Sequence, residues 1–226
     1  MIRRIALRKG WVYSLTAKID IIIERLEAMY PAAECELRYE GEAWKLLVMA
    51  RLSAQCTDKR VNIVSEVLFN RYPTLDALAD GEVSDIEDIV RPCGLYKVKA
   101  RNLKDECIMV RDDFGGGVPD NMDDLLKLPG VGRKIANLIL GDIYGKPAIV
   151  TDTHCIRITG KLGFCNSSNP LVVERILTAI VPPDKQSDFC HRLVLFGRDR
   201  CTARSPKCDG CPLADVCEDA ETRAFL

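Results

Sequence analysis

Cys201, Cys208, Cys211 and Cys217 stand in the spacing C-x6-C-x2-C-x5-C, and no other feature constrains the folding of this chain as tightly. Each short loop brings the next sulfur within reach of the last, so four thiolates can close on one centre, either a zinc ion or an iron–sulfur cluster. A segment closed in this way is tied by its ligands and needs no core of its own. The C-x2-C step suits either metal, and the full spacing matches neither common ferredoxin pattern. The spacing therefore predicts a metal-binding loop and leaves the metal open.

The remaining cysteines, Cys35, Cys56, Cys93, Cys107, Cys155, Cys165 and Cys190, sit singly in apolar or helical contexts. A total of eleven, an odd number, does not suit a secreted disulfide framework. These seven are expected to be small buried hydrophobes in a protein of a reducing cytoplasm. At 226 residues and 47% hydrophobic, the chain can bury the core of one two-lobed domain or of two small ones. Apolar runs such as Leu46 to Ala50 fall far short of the roughly 20 residues that cross a bilayer, so no membrane segment is expected. The first ten residues carry Arg3, Arg4, Arg8 and Lys9 without an acid. No apolar region or small-residue cleavage site follows, and the segment reads as a basic arm, not a secretion signal.

Apolar residues recur with helical period, as at Ile19, Ile22, Ile23, Leu26 and Met29, and again at Leu171, Val172, Ile176, Ile180 and Val181. Strand-like alternation is scarce. The pattern predicts helices near 14–29, 42–55, 58–70, 83–91, 97–113, 122–127, 133–144, 152–162, 169–181 and 184–198, an all-α protein. Tyr72-Pro73, Gly115-Gly116-Gly117, Gly145-Lys146-Pro147 and Pro182-Pro183 punctuate it.

A net charge of −1 announces no polyanionic partner. Locally, Arg198, Arg200, Arg204 and Lys207 outnumber Asp199, while Asp209, Asp215, Glu218, Asp219 and Glu221 follow. Lys97, Lys99, Arg101 and Lys104 form a second cluster, and Arg133 with Lys134 a third. Each taken alone reads as a solvated helix face.

Chemistry concentrates in Leu128-Pro129-Gly130-Val131-Gly132-Arg133-Lys134, between two expected helices. Two glycines flanking one apolar residue let the backbone approach a phosphate, and the amides opening the next helix point toward an anion. Such a hairpin can hold a nucleic-acid backbone without reading its sequence. A nucleotide P-loop needs a different glycine spacing and a preceding strand; an ordinary tight helix–helix turn is the plain alternative. Lys134 falls in the first turn of a helix, beside Arg133, where a cation is electrostatically unwelcome. That setting favours the free amine, the form able to attack carbon and make a Schiff base. Eighteen residues on, Asp152 in Thr151-Asp152-Thr153-His154 reads either as a helix N-cap or as a partner in that chemistry.

These segments resemble a known family. LPGVGRKIA at 128–136, the Thr151–His154 segment and the four-cysteine loop closely resemble endonuclease III, the helix-hairpin-helix DNA glycosylases. Leu52-Ser53-Ala54-Gln55 with Thr57-Asp58, and Gly94-Leu95-Tyr96 with Lys99-Ala100, are similar to further motifs of that family. The resemblance runs from about residue 15 to 218. It implies a base-excision repair enzyme that removes oxidised pyrimidines from duplex DNA and then cleaves the abasic strand by β-elimination. It implies Lys134 and Asp152 as catalytic residues, a 4Fe-4S cluster on Cys201, Cys208, Cys211 and Cys217, and a protein of the cytoplasm, at the bacterial nucleoid, acting as a monomer on damaged or abasic double-stranded DNA. DNA contacts are implied at Leu128, Gly130, Val131, Gly132, Arg133, His154 and Arg204. Gln55 and Leu95 match the residues that fill the hole left by a flipped nucleotide.

The fold implied is two-lobed. A six-helix lobe at 36–147 ends in the hairpin; a second lobe takes 1–35 and 148–226 with the cluster loop at 201–217, and DNA is expected across the groove between them. Arg51, Thr151 and Cys155 depart from the family pattern near the expected pocket wall and leave the preferred base open. Adenine-mismatch glycosylases of the same fold lack the hairpin lysine and place a catalytic Glu before the wedge loop; Leu46 to Leu52 contains no carboxylate. A hairpin DNA-binding module with structural zinc would need Lys134 and Asp152 to be only a phosphate contact and a helix cap.

Overall fold

Short polar side chains start five of the helices. Thr57, Thr74, Asn121, Asp152 and Asn169 each accept a hydrogen bond from a backbone N–H in the turn that follows, satisfying donors that a helix start leaves orphaned. The computed structural model describes residues 5, 6, 12, 13 and 15–219. Arg3, Arg4, Arg8 and Lys9 of the expected basic arm, and Glu221, lie outside the described residues.

The chain is all-α. Its helices are α1 (Leu15–Met29), α2 (Ala43–Leu52), α3 (Asp58–Arg71), α4 (Leu75–Asp80), α5 (Val83–Val90), α6 (Tyr96–Asp113), α7 (Met122–Leu125), α8 (Arg133–Asp142), α9 (Thr153–Lys161), α10 (Pro170–Ile180) and α11 (Gln186–Asp199). One strand pair stands out among the described residues, β1 (Ile5–Ala6) antiparallel to β2 (Val12–Tyr13). No helix among them is long and apolar enough to cross a membrane. The chain divides into two compact units, one of Cys35–Lys146 and one of Met1–Glu34 with Pro147–Leu226.

In the first unit α2 is the central helix. Lys45 to Ala50 and Leu52 are all buried, the pattern of a helix covered on every side, and α3, α6 and α8 pack against it. The long α6 also backs α4 and α5. This unit holds seven α-helices where six were expected. The addition, α4, spans six residues, too few for a helical period to show in the sequence; Thr74 starts it, and its apolar Leu75, Leu78 and Ala79 are buried. The basic cluster on α6 is not one solvated face either. Lys97 and Arg101 are exposed, but Lys99 is buried and Lys104 donates to the Gly81 carbonyl at 2.8 Å.

The second unit packs α1 against α10 and α11, and α9 against α11. Ile19, Ile22, Ile23 and Leu26 form the buried stripe of α1, as expected. On α10 the stripe is rotated from expectation. Val173, Leu177 and Val181 are buried, whereas Leu171 and Val172 are exposed. This segment has more apolar residues than one face can hold, so the sequence cannot tell which i, i+4, i+8 row docks. Of the seven solitary cysteines, Cys93, Cys107, Cys155, Cys165 and Cys190 are buried, while Cys35 and Cys56 are half-buried.

The first unit contains one buried carboxyl with almost no compensation. Glu106 on α6 is fully buried, both its oxygens lack a hydrogen bond, and the Arg51 guanidinium lies 3.8 Å away. Burial pushes its pKa from 4.5 up to about 8, against the opposing pull of Arg51. Because the folded-state pKa is raised, the stabilisation is complete below 4.5, the ordinary value, and disappears as pH rises through about 8. Urea unfolding of the parent should therefore show a midpoint that declines between these limits. Glu106→Gln should flatten that decline; an unchanged pH profile would show that Glu106 is not its source.

Candidate nucleic-acid interface and metal loop

Leu128-Pro129-Gly130-Val131 closes a turn, with the Val131 N–H donating to the Leu128 carbonyl at 3.0 Å. Proline second and a glycine of φ 74° third is the composition such a turn demands. Leu128 and Val131 are buried and face inward. Any contact they make outside is thus through main chain, while Gly130 and Gly132 are exposed. Gly132 is the N-cap of α8 and has no side chain to occupy the first amides. A Cβ there would meet nothing within 4 Å, so the space before the helix start is open to an anion.

Gly130 is constrained twice, by its positive φ and by the Arg51 guanidinium packed where a Cβ would project. Arg51 Nη1 donates to the Gly130 carbonyl. The arginine that departs from the family pattern therefore ties the end of α2 to the hairpin. Lys134 follows in the first turn of α8 with its side chain exposed, as are Arg133 and Gly132.

Gln55 and Leu95 lie on two other loops of the same unit, and both are exposed. Each has a left-handed backbone, φ 56° at Gln55 and φ 49° at Leu95, a conformation that residues with a Cβ adopt sparingly. Beneath them is a residue that sequence reasoning left in a solvated cluster. Lys99 donates from Nζ to the carbonyls of Leu52 at 2.9 Å, Ala54 at 2.8 Å and Cys93 at 2.8 Å. Spacing carried no signal for this, because a lysine among lysines looks solvated.

In the second unit Asp152 is the N-cap of α9, its Oδ1 accepting from the Cys155 N–H at 2.7 Å. The cap engages Oδ1 and holds the half-buried carboxylate in one orientation. Thr151 and Cys155 on either side are buried, and a hydrogen bond with the Cys190 thiol, together with burial, pushes the Cys155 pKa well up. His154 is half-buried, packs against Gly197 of α11 and lies 3.3 Å from the Arg157 guanidinium. Arg157 in turn donates to the Cys201 carbonyl and lies 3.6 Å from its sulfur. Asp152 and the cysteine loop are thus joined by α9, through an arginine that no motif singled out.

Cys201, Cys208, Cys211 and Cys217 line one cavity, walled by Ile158, Leu162, Phe196 and Leu213. None of the four is in a disulfide, and all are half-buried. Charged side chains fasten the loop from outside: Arg25 of α1 pairs with Asp215 and donates to the Pro212 carbonyl at 2.8 Å. Lys161 pairs with Asp219 at 2.6 Å, and the buried Lys18 with Glu218 at 3.3 Å. Of the basic patch, Arg200 bonds Gly210 and Lys207 lies 3.7 Å from Asp199, while Arg204 is exposed. Four thiols around one apolar-walled space, with the loop held on it, fit a polynuclear cluster.

Residues 48–183 match the HhH-GPD superfamily of base excision DNA repair proteins, and residues 201–217 match the iron-sulfur binding domain of endonuclease III. The chain is 39% identical to endonuclease III of Bacillus subtilis over 91% of its own length and 94% of that protein. It is 36% identical to endonuclease III of Escherichia coli K12 over 88% and 94%. Its fold is similar to that of a trapped endonuclease III–DNA covalent intermediate, with a TM-score of 0.87 and 40% identity, covering 92% of this chain and 98% of that one.

Anaerobically purified protein should contain iron and absorb broadly in the visible. Cys208→Ser should be colourless and poorly soluble, because ligation and folding of the loop are linked. Stoichiometric zinc without iron would refute the iron–sulfur assignment.

Proposed function

This chain belongs to the endonuclease III family of base-excision repair enzymes and is a DNA glycosylase with abasic-site lyase activity; we propose that Lys134 is its nucleophile and Asp152 the carboxylate that serves it. The observation that carries this reading is the exposed Lys134 in the first turn of α8, directly after Gly132, an N-cap with no side chain to occupy the helix start. A phosphate held at that helix start brings the sugar of the same nucleotide within reach of an amine in the same turn.

The target base must leave the stack for its glycosidic carbon to be reached. Lys134 Nζ then attacks C1′ and the base departs with its bonding electrons. The Asp152 carboxylate stabilises the positive charge that develops on the sugar and takes the proton the amine sheds. The sugar ring then opens: the C1′–O4′ bond breaks, O4′ takes a proton, and the nitrogen lone pair forms the C=N bond of a protonated imine. That imine acidifies C2′–H, and loss of this proton expels the 3′ phosphate and breaks the strand without water. Lys134 is released when the imine is hydrolysed. Gln55 and Leu95 occupy the gap left in the duplex, and Arg204 contacts phosphate beside the cluster loop. Cys201, Cys208, Cys211 and Cys217 would hold the 4Fe-4S cluster, which would cross-link the loop that carries Arg204.

The substrates proposed are duplexes with an oxidised pyrimidine or an abasic site, acted on by a monomer at the nucleoid in the cytoplasm. The family resemblance supports this reading.

Borohydride should trap a covalent adduct between the parent and abasic duplex. Lys134→Gln should lose the adduct and keep DNA affinity; a normal adduct yield would sink the assignment. Asp152→Asn separates the two uses of that carboxylate, because asparagine caps helices about as well as aspartate. Thermal stability should stay near the parent's while base release slows by roughly 10² or more. Slowing matched by a fall in stability would leave Asp152 only the helix cap. Arg204→Ala should weaken binding to all sequences alike and flatten its salt dependence; a sequence-selective defect would argue against a phosphate contact.

A further inference from the structure

We propose that Lys99 is a positioning residue for nucleotide extrusion, a buried ammonium that locks the Gln55 and Leu95 loops into one rigid wedge. The inference rests on the reading of Gln55 and Leu95 as the residues that fill the vacated stack, and it adds what holds them there.

An ammonium has three N–H donors and no acceptor, and Lys99 spends all three on main-chain carbonyls. Two, from Leu52 and Ala54, belong to the turn that ends α2 just before Gln55. The third, from Cys93, belongs to the turn just before Gly94-Leu95. The segments are 41 residues apart in sequence at Ala54 and Leu95, and one atom joins them. Lys99 is 4% exposed, so water does not compete for those carbonyls. The Leu52 carbonyl is also an unpaired group at a helix end, where positive charge is favoured.

The loops need such a tie. Gln55 and Leu95 both take left-handed backbone, and a residue with a Cβ stays there only where its surroundings over-determine it. Neither side chain is packed; Leu95 is 60% exposed. What fixes their direction is the backbone below, and in both loops that backbone is bonded to Lys99. A wedge that enters a duplex must keep its shape against the restacking of the base it displaces.

The test compares Lys99→Met with the parent, with Leu95→Ala and with Lys104→Met. Lys104 also donates to a buried turn, at Gly81, but touches neither wedge loop, so it reports what loss of a lysine-to-backbone bond does to the fold alone. Each protein is assayed in single turnover on a duplex with a paired lesion and on an abasic duplex. A fluorescent base analogue beside the target reads extrusion directly. Lys99→Met should slow excision of the paired lesion by roughly tenfold or more, the scale of losing charged hydrogen bonds. Abasic cleavage should change little, and the fluorescence rise should be smaller than the parent's. Lys104→Met should slow both substrates by one factor.

Equal slowing of both substrates by Lys99→Met, or an undiminished fluorescence rise, overturns the proposal. If Leu95→Ala shows no preference for the paired lesion, the wedge reading itself falls and the lock with it; if Leu95→Ala shows it and Lys99→Met does not, the lock alone falls. Should Lys99→Met not fold, Lys99→Gln takes its place. Its amide nitrogen offers two donors, and an intermediate, substrate-selective defect is then the expected result.

Discussion

Every helix end leaves backbone amides or carbonyls without a partner, and a chain made of short helices has many ends. What becomes of these groups decides both the fold and the proposed chemistry of this protein. Some are closed by side chains, as Thr57, Thr74 and Asn169 close theirs. At Gly132 the N-cap has no side chain to close them, and this helix start becomes the proposed seat for a phosphate. At Asp152 the closure and the chemistry share one carboxylate, since the oxygen that caps α9 belongs to the group proposed to serve the sugar. The same shortage of partners recurs as carbonyls at the end of α2, where Lys99 meets it.

Buried or half-buried cations recur in the fold, and each has its charge met in a different way. Taking a charge out of water is costly unless its donors are used. Lys99 uses all three of its own, which keeps it fixed even though burial and the nearby Arg51 pull its pKa down. Lys18 is 1% exposed and lies over the Phe164 ring while paired with Glu218, so a flat aromatic face carries part of its charge. Arg51 is the weakest of the three arrangements, because Nε finds no hydrogen-bond partner and Glu106 is left with none. The hairpin is therefore supported through a contact whose electrostatic balance shifts near neutral pH. An apolar side chain at this position would not carry that dependence.

Much of this was legible in the sequence, for physical reasons that also mark the limits. The all-α class and the longer helices follow from apolar period, and Leu128 to Lys134 announces its turn through proline and glycine. Lys134 in the first turn of a helix follows from that turn. The short α4 was not legible, because six residues cannot display a period of 3.6. The docking row of α10 was not, because the segment is apolar on too many sides. Lys99, Arg51 and Arg157 were missed as anchors for one shared reason. Their partners are carbonyls, distant glycines or a carboxyl far along the chain, and local sequence around a cation cannot report which backbone groups will surround it.

A nearly neutral chain that binds a polyanion must rely on fields that act over a few ångströms, since exposed charges further apart than about 8 to 10 Å are screened at cellular salt. The acidic residues are placed accordingly. Asp215, Glu218 and Asp219 are occupied by Arg25, Lys18 and Lys161, which turns them into internal fastenings of the cysteine loop. Arg204 is left exposed on that loop, with no acid paired to it among the described residues, as Lys134 is at the start of α8. Arg204 and Lys134 both point outward, one on the loop and one beside the helix-start amides, in a chain whose net charge is only −1. The field that DNA meets on this reading is set by which cations the fold leaves unspent, and the total charge says nothing about it.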